Sequence, residues 1–312
     1  MARHPRIRRA FGYALAASLV LAGATAFGFR RARAQGRERL ARYPARTADL
    51  SYGRIAYIDE GDPGAEAVLS LHGLFGGYDQ GYDVMAESSH SLRVIAPSRF
   101  GYPGSDIRGR GRPVDQAEAL VELLDHLELE RVFVLGASAG GTAAIRFALD
   151  HPGRTKGLIL YSSAMPCPQR PREVAEYVGP PRLLHSDLAM FLLSPLFPMV
   201  LSMPAATVTT MFPISERRVG ADLDARVSNP DMARSFKDYP IEQLRVPVLI
   251  VQARNDRMAL FEHAAAALPR FPDAVLVPFD DGGHLLAGHS EEVAQKITEF
   301  VQKHGENPVR KD

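Results

Sequence analysis

The sequence predicts an α/β fold: a doubly wound, mostly parallel sheet carrying a helical cap insertion. Short continuous runs of Val, Ile and Leu alternate with stretches of helical periodicity, the pattern of strands covered by helices on both faces. That alternation fails between Ser162 and Pro240, a stretch holding eleven of the 23 prolines and six of the nine methionines. A segment of that composition reads as an insertion that packs differently from the sheet.

The chain begins with a basic segment, residues 1–46, which carries eleven Arg against one acidic residue, Glu38. Within it, nineteen uncharged residues from Phe11 to Phe29 lie between Arg3, Arg6, Arg8 and Arg9 on one side and Arg30, Arg31 and Arg33 on the other. As a helix they would span roughly 28 Å, about one hydrocarbon core. The expectation is a transmembrane helix acting as a signal anchor, with the membrane as partner and location. The alternative is export to the cell envelope after signal cleavage, because "ATA" (Ala24–Ala26) and "ARA" (Ala32–Ala34) look like processing sites. Arg8-Arg9-Ala10-Phe11 partly resembles a twin-arginine signal. An ordinary buried helix is the third reading.

Beyond residue 46 the chain holds 26 basic and 35 acidic residues, so its body is mildly acidic although the whole carries +1. That argues against nucleic acid as a partner. With 312 residues, 46% of them hydrophobic, the chain can bury a large core. The single cysteine, Cys167, excludes an intrachain disulfide and a cysteine metal site, and suits packing.

The core is expected over residues 47–161 and 241–312. Its strands are "RIAYIDEG", "AVLSLHG", "LRVIAPS", "RVFVLG", "GLILYSS", "PVLIVQA" and "AVLVPFD". Its helices include "PVDQAEALVELLDHLEL", "TAAIRFALDHP" and "SEEVAQKITEFVQKH". Residues 162–240 form the cap. From Leu188 to Ser215 the cap has no charged residue, yet prolines 195, 198 and 204 argue against a membrane span there. Its Met-rich surface would either face an apolar partner or pack a small core of its own.

Chemistry enters at Gly136-Ala137-Ser138-Ala139-Gly140, a G-x-S-x-G placed directly between the strand-like "RVFVL" and a helical stretch. A serine at such an elbow stands above the carboxyl end of the sheet, facing the free N–H groups of a helix start. To attack, its hydroxyl needs a base, and the base needs an orienting acid. Asp256 in "QARND" and His284 in "DDGGH" follow later strands in the order Ser, Asp, His. His289 competes for the role of base; Asp280, Asp281 and Asp238 compete for that of acid. The oxyanion hole falls to the backbone N–H groups of Leu74 and Ala139, with Phe75 as the alternative to Leu74. His72 suits fixing the loop "HGLFGG" better than acting as a base.

With "HGLFGG", "GASAGG", "QARND" and "GGH" in this order and spacing, the chain resembles the α/β-hydrolase fold family over about residues 50–160 and 241–303. The resemblance implies a Ser138, His284, Asp256 triad, oxyanion donors at Leu74 and Ala139, and a variable cap over the site. "HGLFGGYDQG" with "VIAPSRFGYPGSD" is similar to a bacterial subgroup of poorly defined substrate. Where many relatives carry D-x-R-G-x-G, this chain has Ser98 in "PSRFGYPGS". The nucleophile is serine rather than aspartate, so a dehalogenase or epoxide hydrolase mechanism does not follow.

The leading functional expectation is a serine hydrolase of carboxylic esters with an apolar acyl or alkyl group, working through an acyl-enzyme. It requires no metal, no cofactor and no obligate protein partner. The same residues could cleave amides, thioesters, lactones or carbon–carbon bonds. Glu173 and Glu176 would be the candidates to clamp an amine if the substrate were a peptide. Two readings of other classes are a ligand-binding receptor with a vestigial triad and a membrane-tethered interaction protein with a degenerate site.

Overall fold

A computed structural model describes residues 5–306 of the chain. Arg3 of the first basic cluster and residues 307–312 of the predicted core lie outside the described residues.

Eight strands form one sheet: β1 (Arg46–Leu50), β2 (Gly53–Glu60), β3 (Ala67–Leu71), β4 (Arg93–Pro97), β5 (Val132–Ala137), β6 (Thr155–Tyr161), β7 (Val248–Ala253) and β8 (Ala274–Phe279). Their order is β1-β2-β4-β3-β5-β6-β7-β8. The pairs β1–β2 and β2–β4 are antiparallel, and every later pair is parallel. All seven apolar runs in the sequence are strands. β1 was not expected, because "RTADL" has no apolar run; as an edge strand it needs to bury only one neighbour.

The sheet is apolar on both faces, which is why its central strands read as continuous hydrophobic runs. Leu69, Leu71, Val134, Leu158 and Ile250 meet α3 (Pro113–His126), α4 (Gly140–Asp150) and α10 (Phe261–Ala267) on one side. Val68, Phe133, Leu135, Ile159 and Val251 meet α11 (Ser290–His304) on the other. Alternate residues of one strand thus serve two cores. α3 starts at Pro113, and the backbone N–H of Arg112 before it donates to Asp115 at 3.0 Å. α11 has Glu291 and Glu292 in its first turn and Lys303 in its last, each matched to the helix dipole. α2 (Tyr78–Asp83) follows the loop that leaves β3.

Between β6 and β7 the chain leaves the sheet and forms short helices: α5 (Asp187–Leu193), α6 (Phe197–Val200), α7 (Val208–Met211), α8 (Ile214–Leu223) and α9 (Asp231–Arg234). The cap has its own core of Met190, Phe197, Met203, Met211, Phe212 and Ile214, and this core also takes in Phe75 from below and Ala32 from the N-terminal helix. Its methionines therefore serve internal packing as well as contact with the rest of the chain.

The N-terminal segment corrects the expectation of a membrane anchor. It forms one 37-residue helix, α1 (Pro5–Ala41), roughly 55 Å long. Among the described residues no helix is long and apolar enough to cross a membrane. The transmembrane helix, the signal anchor, the membrane as partner and the membrane-anchored location therefore do not stand. The physical reason lies in composition and contacts. The uncharged stretch is rich in Ala and Gly, which contribute little transfer energy per residue, and the helix then runs unbroken into Arg30, Arg31, Arg33, Arg37 and Arg39. Its last turns are engaged with protein instead. Ala32 and Leu40 are buried, Phe29 meets Phe191 at 5.7 Å, and Arg33 pairs with Asp187 of the cap at 2.8 Å. At Gly36 a β-carbon would stand 2.5 Å from Phe212 Cβ, so the close approach of helix and cap requires glycine.

Candidate active site

β5 ends at Ala137 and α4 begins at Gly140, leaving two residues to turn the chain. Ser138 sits there with φ +50°, a left-handed conformation that costs a non-glycine residue about 1–3 kcal/mol. The Ser138 N–H donates to the Tyr161 carbonyl of the neighbouring strand at 2.9 Å, which helps to hold the turn. The small residues around it follow from crowding: a β-carbon on Gly136 would lie 2.6 Å from Ala144 Cβ, and one on Gly140 would strike the Leu71 carbonyl.

The structure brings Ser138, His284 and Asp256 together. The Ser138 hydroxyl lies 2.8 Å from His284 Nε2, and His284 Nδ1 lies 2.9 Å from Asp256 Oδ2. With an ionised carboxylate at Nδ1, that nitrogen carries the proton and Nε2 accepts from the hydroxyl. Asp256 is buried and its carboxylate is fully occupied. Oδ1 accepts from the N–H groups of Met258 at 2.8 Å and Ala259 at 3.1 Å, and Oδ2 accepts from Gln252 Nε2 at 2.9 Å.

The competing residues stand elsewhere. His289 pairs with Asp281 at 2.6 Å on the surface, and Asp280 faces Arg254 at 3.3 Å while almost wholly exposed. Asp238, Glu173 and Glu176 are also exposed. Two open cavities, of about 690 and 730 Å³, are lined by Arg146, Lys237 and neighbours and by Leu21, Phe29, Leu188 and neighbours. Neither is lined by Ser138, His284 or Asp256.

Among the described residues, the N–H groups of Leu74 and Ala139 have no hydrogen-bond partner. Ala139 caps the start of α4, where free N–H groups and the helix dipole favour an anion. The Phe75 N–H instead faces the Tyr102 hydroxyl oxygen, to which it donates. This geometry favours Leu74 over Phe75 as the second donor. His72 is buried beneath the loop: Nδ1–H donates to the Gly73 carbonyl at 2.7 Å, and Nε2 accepts from the Arg99 N–H at 2.9 Å. Burial, then the Arg99 charge, holds its pKa well below the usual histidine range, so it stays neutral.

Further polar residues support the site, and of these only Ser98 was marked in the sequence. Arg99 forms a bidentate pair with Asp224 of the cap at 2.7 and 2.6 Å, and its Nε donates to the His72 carbonyl at 2.9 Å. Asp224 opens a π-helical turn, Asp224–Ser228, directly after α8. Tyr102 adds its hydroxyl to the same carboxylate at 2.6 Å. Ser98, the residue that departs from the D-x-R-G-x-G pattern, accepts the Tyr78 N–H at 3.0 Å through its hydroxyl. Asn255, beside Asp256, accepts the Gly283 N–H at 2.9 Å.

The arrangement can lend a hydroxyl to a base, hold that base by a buried carboxylate, and offer two N–H groups to a developing oxyanion. A Bacillus subtilis protein is 34% identical, but over 113 residues only, 35% of this chain and 41% of that protein. The 2-hydroxy-6-oxononadienedioate/2-hydroxy-6-oxononatrienedioate hydrolase 2 of Pseudomonas putida is 27% identical over 80% of this chain and 92% of its own length. Five further proteins matched over the same share of the chain carry the same or a closely similar name. Among solved structures, the esterase RhEst1 of Rhodococcus sp. ECU1013 superposes with a TM-score of 0.65 at 20% identity, over 84% of this chain and 99% of that one, a likeness of fold alone. The alpha/beta hydrolase family matches residues 68–296. With that span covering most of the sheet, the elbow and both partners of Ser138, the chain belongs to the alpha/beta hydrolase family and is an enzyme of that fold.

Proposed function

We propose that the chain is a serine hydrolase whose substrate is cleaved at a carbon–carbon bond beside a ketone, and that the observation carrying the mechanism is the Ser138–His284–Asp256 hydrogen-bond chain. In this reading Ser138 Oγ attacks the ketone carbon as its proton passes to His284 Nε2, and Asp256 orients the imidazole and balances its charge. The oxyanion is received by the N–H groups of Leu74 and Ala139. Collapse of the tetrahedral intermediate breaks the carbon–carbon bond. The released electron pair must pass into a conjugated carbonyl, giving an enolate that takes the proton back from His284. Water, activated by His284, then hydrolyses the acyl-enzyme and returns Ser138 to its hydroxyl form. The choice of bond draws on relatives named as hydrolases of 2-hydroxy-6-oxo dienoates and dienedioates, which match over about nine-tenths of their own length.

A second reading, hydrolysis of a carboxylic ester with an apolar group, is favoured by the charges beside the site. Arg99 is engaged by Asp224, and Arg217 of α8 is engaged by Asp79, so these buried guanidinium groups do not await a substrate carboxylate. The surroundings contributed by Leu74, Phe75, Leu285 and the cap core are apolar.

The two readings are separated by measuring loss of 2-hydroxy-6-oxo-6-phenylhexa-2,4-dienoate absorbance beside release of p-nitrophenol from a series of esters. Consumption of the dienoate at a kcat/KM above that of every ester supports the first; turnover of esters alone supports the second. Ser138→Ala should lower either activity by about 10⁴ or more. A variant as active as the parent would sink both.

A further inference from the structure

α1 has no part in the chemistry above, yet one of its residues reaches the support of the oxyanion loop. Arg39 leaves the last turns of the helix and pairs with Asp79, with a further bond from Nη2 to the Thr210 carbonyl at 2.7 Å. Asp79 is wholly buried and is gripped from the other side by Arg217 of the cap, bidentately, at 3.0 and 2.8 Å. Burial alone would raise the Asp79 carboxyl, but Arg217 and Arg39 outweigh it and hold the group below the usual carboxylate range.

The next residue, Gln80, touches the loop itself. Its Oε1 accepts the Gly73 N–H at 3.1 Å, one residue before Leu74. Gly76 packs so closely on the same oxygen that a β-carbon there would lie 2.5 Å from it. Asp79 and Gln80 share the first turn of α2, so fixing the carboxylate fixes the amide.

We propose that Arg39 of the N-terminal helix is a positioning residue for the reaction: acting through Asp79 and Gln80, it sets the Gly73–Leu74 backbone that faces Ser138. The inference rests on reading Leu74 as an oxyanion donor. It makes the helix a working part of the site, because one carboxylate is clamped jointly by helix and cap. Arg217 alone would keep Asp79 charged and paired, so loss of Arg39 loosens the clamp without emptying it.

The test uses the full chain with p-nitrophenyl butyrate as substrate and an aryl trifluoromethyl ketone, which needs the oxyanion hole to form its adduct with Ser138. Arg39→Met is expected to lower kcat about tenfold with KM within about twofold, because a small displacement of a donor acts on the transition state rather than on substrate binding. Affinity for the ketone should fall by the same factor. Arg39→Lys should recover most of both, and Gln80→Leu should reproduce the Arg39→Met pattern from the other end of the relay. Unchanged kcat in Arg39→Met, a rise in KM alone, or a loss of kcat with ketone affinity intact would overturn the proposal. Ser138→Ala separates this from failure of the functional reading: if it stays active the reading of the site falls, and if it is dead while Arg39→Met matches the parent only the positioning role falls.

Discussion

Ser202 of the cap and His284 of the core are joined main chain to main chain, the His284 N–H donating to the Ser202 carbonyl at 3.1 Å. The Ser202 hydroxyl also donates to the Asn255 carbonyl at 3.1 Å, on the loop that holds Asp256. The cap is thereby fastened to His284 and to Asn255, the neighbour of Asp256, and its position and that of the imidazole are set together.

Gly283 is where this fastening is tightest, because a β-carbon there would strike the Ser202 carbonyl oxygen while φ stands at +60°. Gly283→Ala is expected to push the cap turn and His284 apart and lower kcat/KM about 100-fold, the scale of a misplacement near 1 Å. Steady-state kinetics beside thermal melting checks this. Retention of parental kcat/KM in a folded variant would show that the contact does not govern His284.

Gln252 is the side chain that steadies Asp256, with Nε2 shared between Asp256 Oδ2 and the Ala259 carbonyl at 2.6 Å. Gln252→Leu removes one of the donors to the carboxylate and should reduce kcat about tenfold, with KM changed less than about twofold. Gln252→Glu should behave differently at low and neutral pH, since only its protonated form can donate to Asp256. A pH profile identical for the two variants would contradict this role.

Removing one member of the Arg99–Asp224 pair should be costly, because both side chains are about 1% exposed. Asp224→Leu leaves a guanidinium buried without its partner and is expected to destabilise the fold by about 3–5 kcal/mol. Urea denaturation measures it. A loss below about 1 kcal/mol would mean that water reaches Arg99 once the carboxylate is gone.

The neutral, buried His72 predicts a dependence of stability on pH. Its folded pKa is depressed, so below about 6.5 the unfolded chain binds a proton that the folded chain refuses. The contribution is fully present above that pH and falls as pH drops, by up to about 1.4 kcal/mol per pH unit until the folded pKa is reached. His72→Gln keeps a neutral donor and acceptor and should flatten this slope in denaturation curves taken from pH 7 to 5. An unchanged slope would assign the effect to other groups.

How much of this was legible in the sequence depended on the range of the interaction. The strands from Ala67 to Phe279 could be read from their own composition, because a strand covered on both faces announces itself locally. Ser138, Asp256 and His284 could be placed because each follows a strand end in a glycine-rich or turn-forming setting. The polar links could not. Arg39, Asp79 and Arg217 are separated by 40 and 138 residues, and no local pattern marks a charge that will be buried. The N-terminal helix misled for a related reason. Phe11–Phe29 has the length and lack of charge of a span but too little apolar surface for one, and the contacts that engage the helix lie beyond it, at Ala32, Gly36, Arg39 and Leu40.

The strand order carries one more consequence. β3, which delivers Leu74, and β5, which delivers Ser138 and Ala139, are direct neighbours, with Leu71 opposite Gly136. Hydrogen-bonded strands lie about 4.8 Å apart whatever side chains they carry. The distance between the two strand ends, from which the loop to Leu74 and the elbow at Ser138 depart, is therefore measured out by peptide geometry, a ruler that mutation of side chains does not erase. Sequences can drift far apart around such a ruler and keep its spacing, leaving the loop after β3 to be trimmed by its own side-chain contacts, Gln80 on the Gly73 N–H among them.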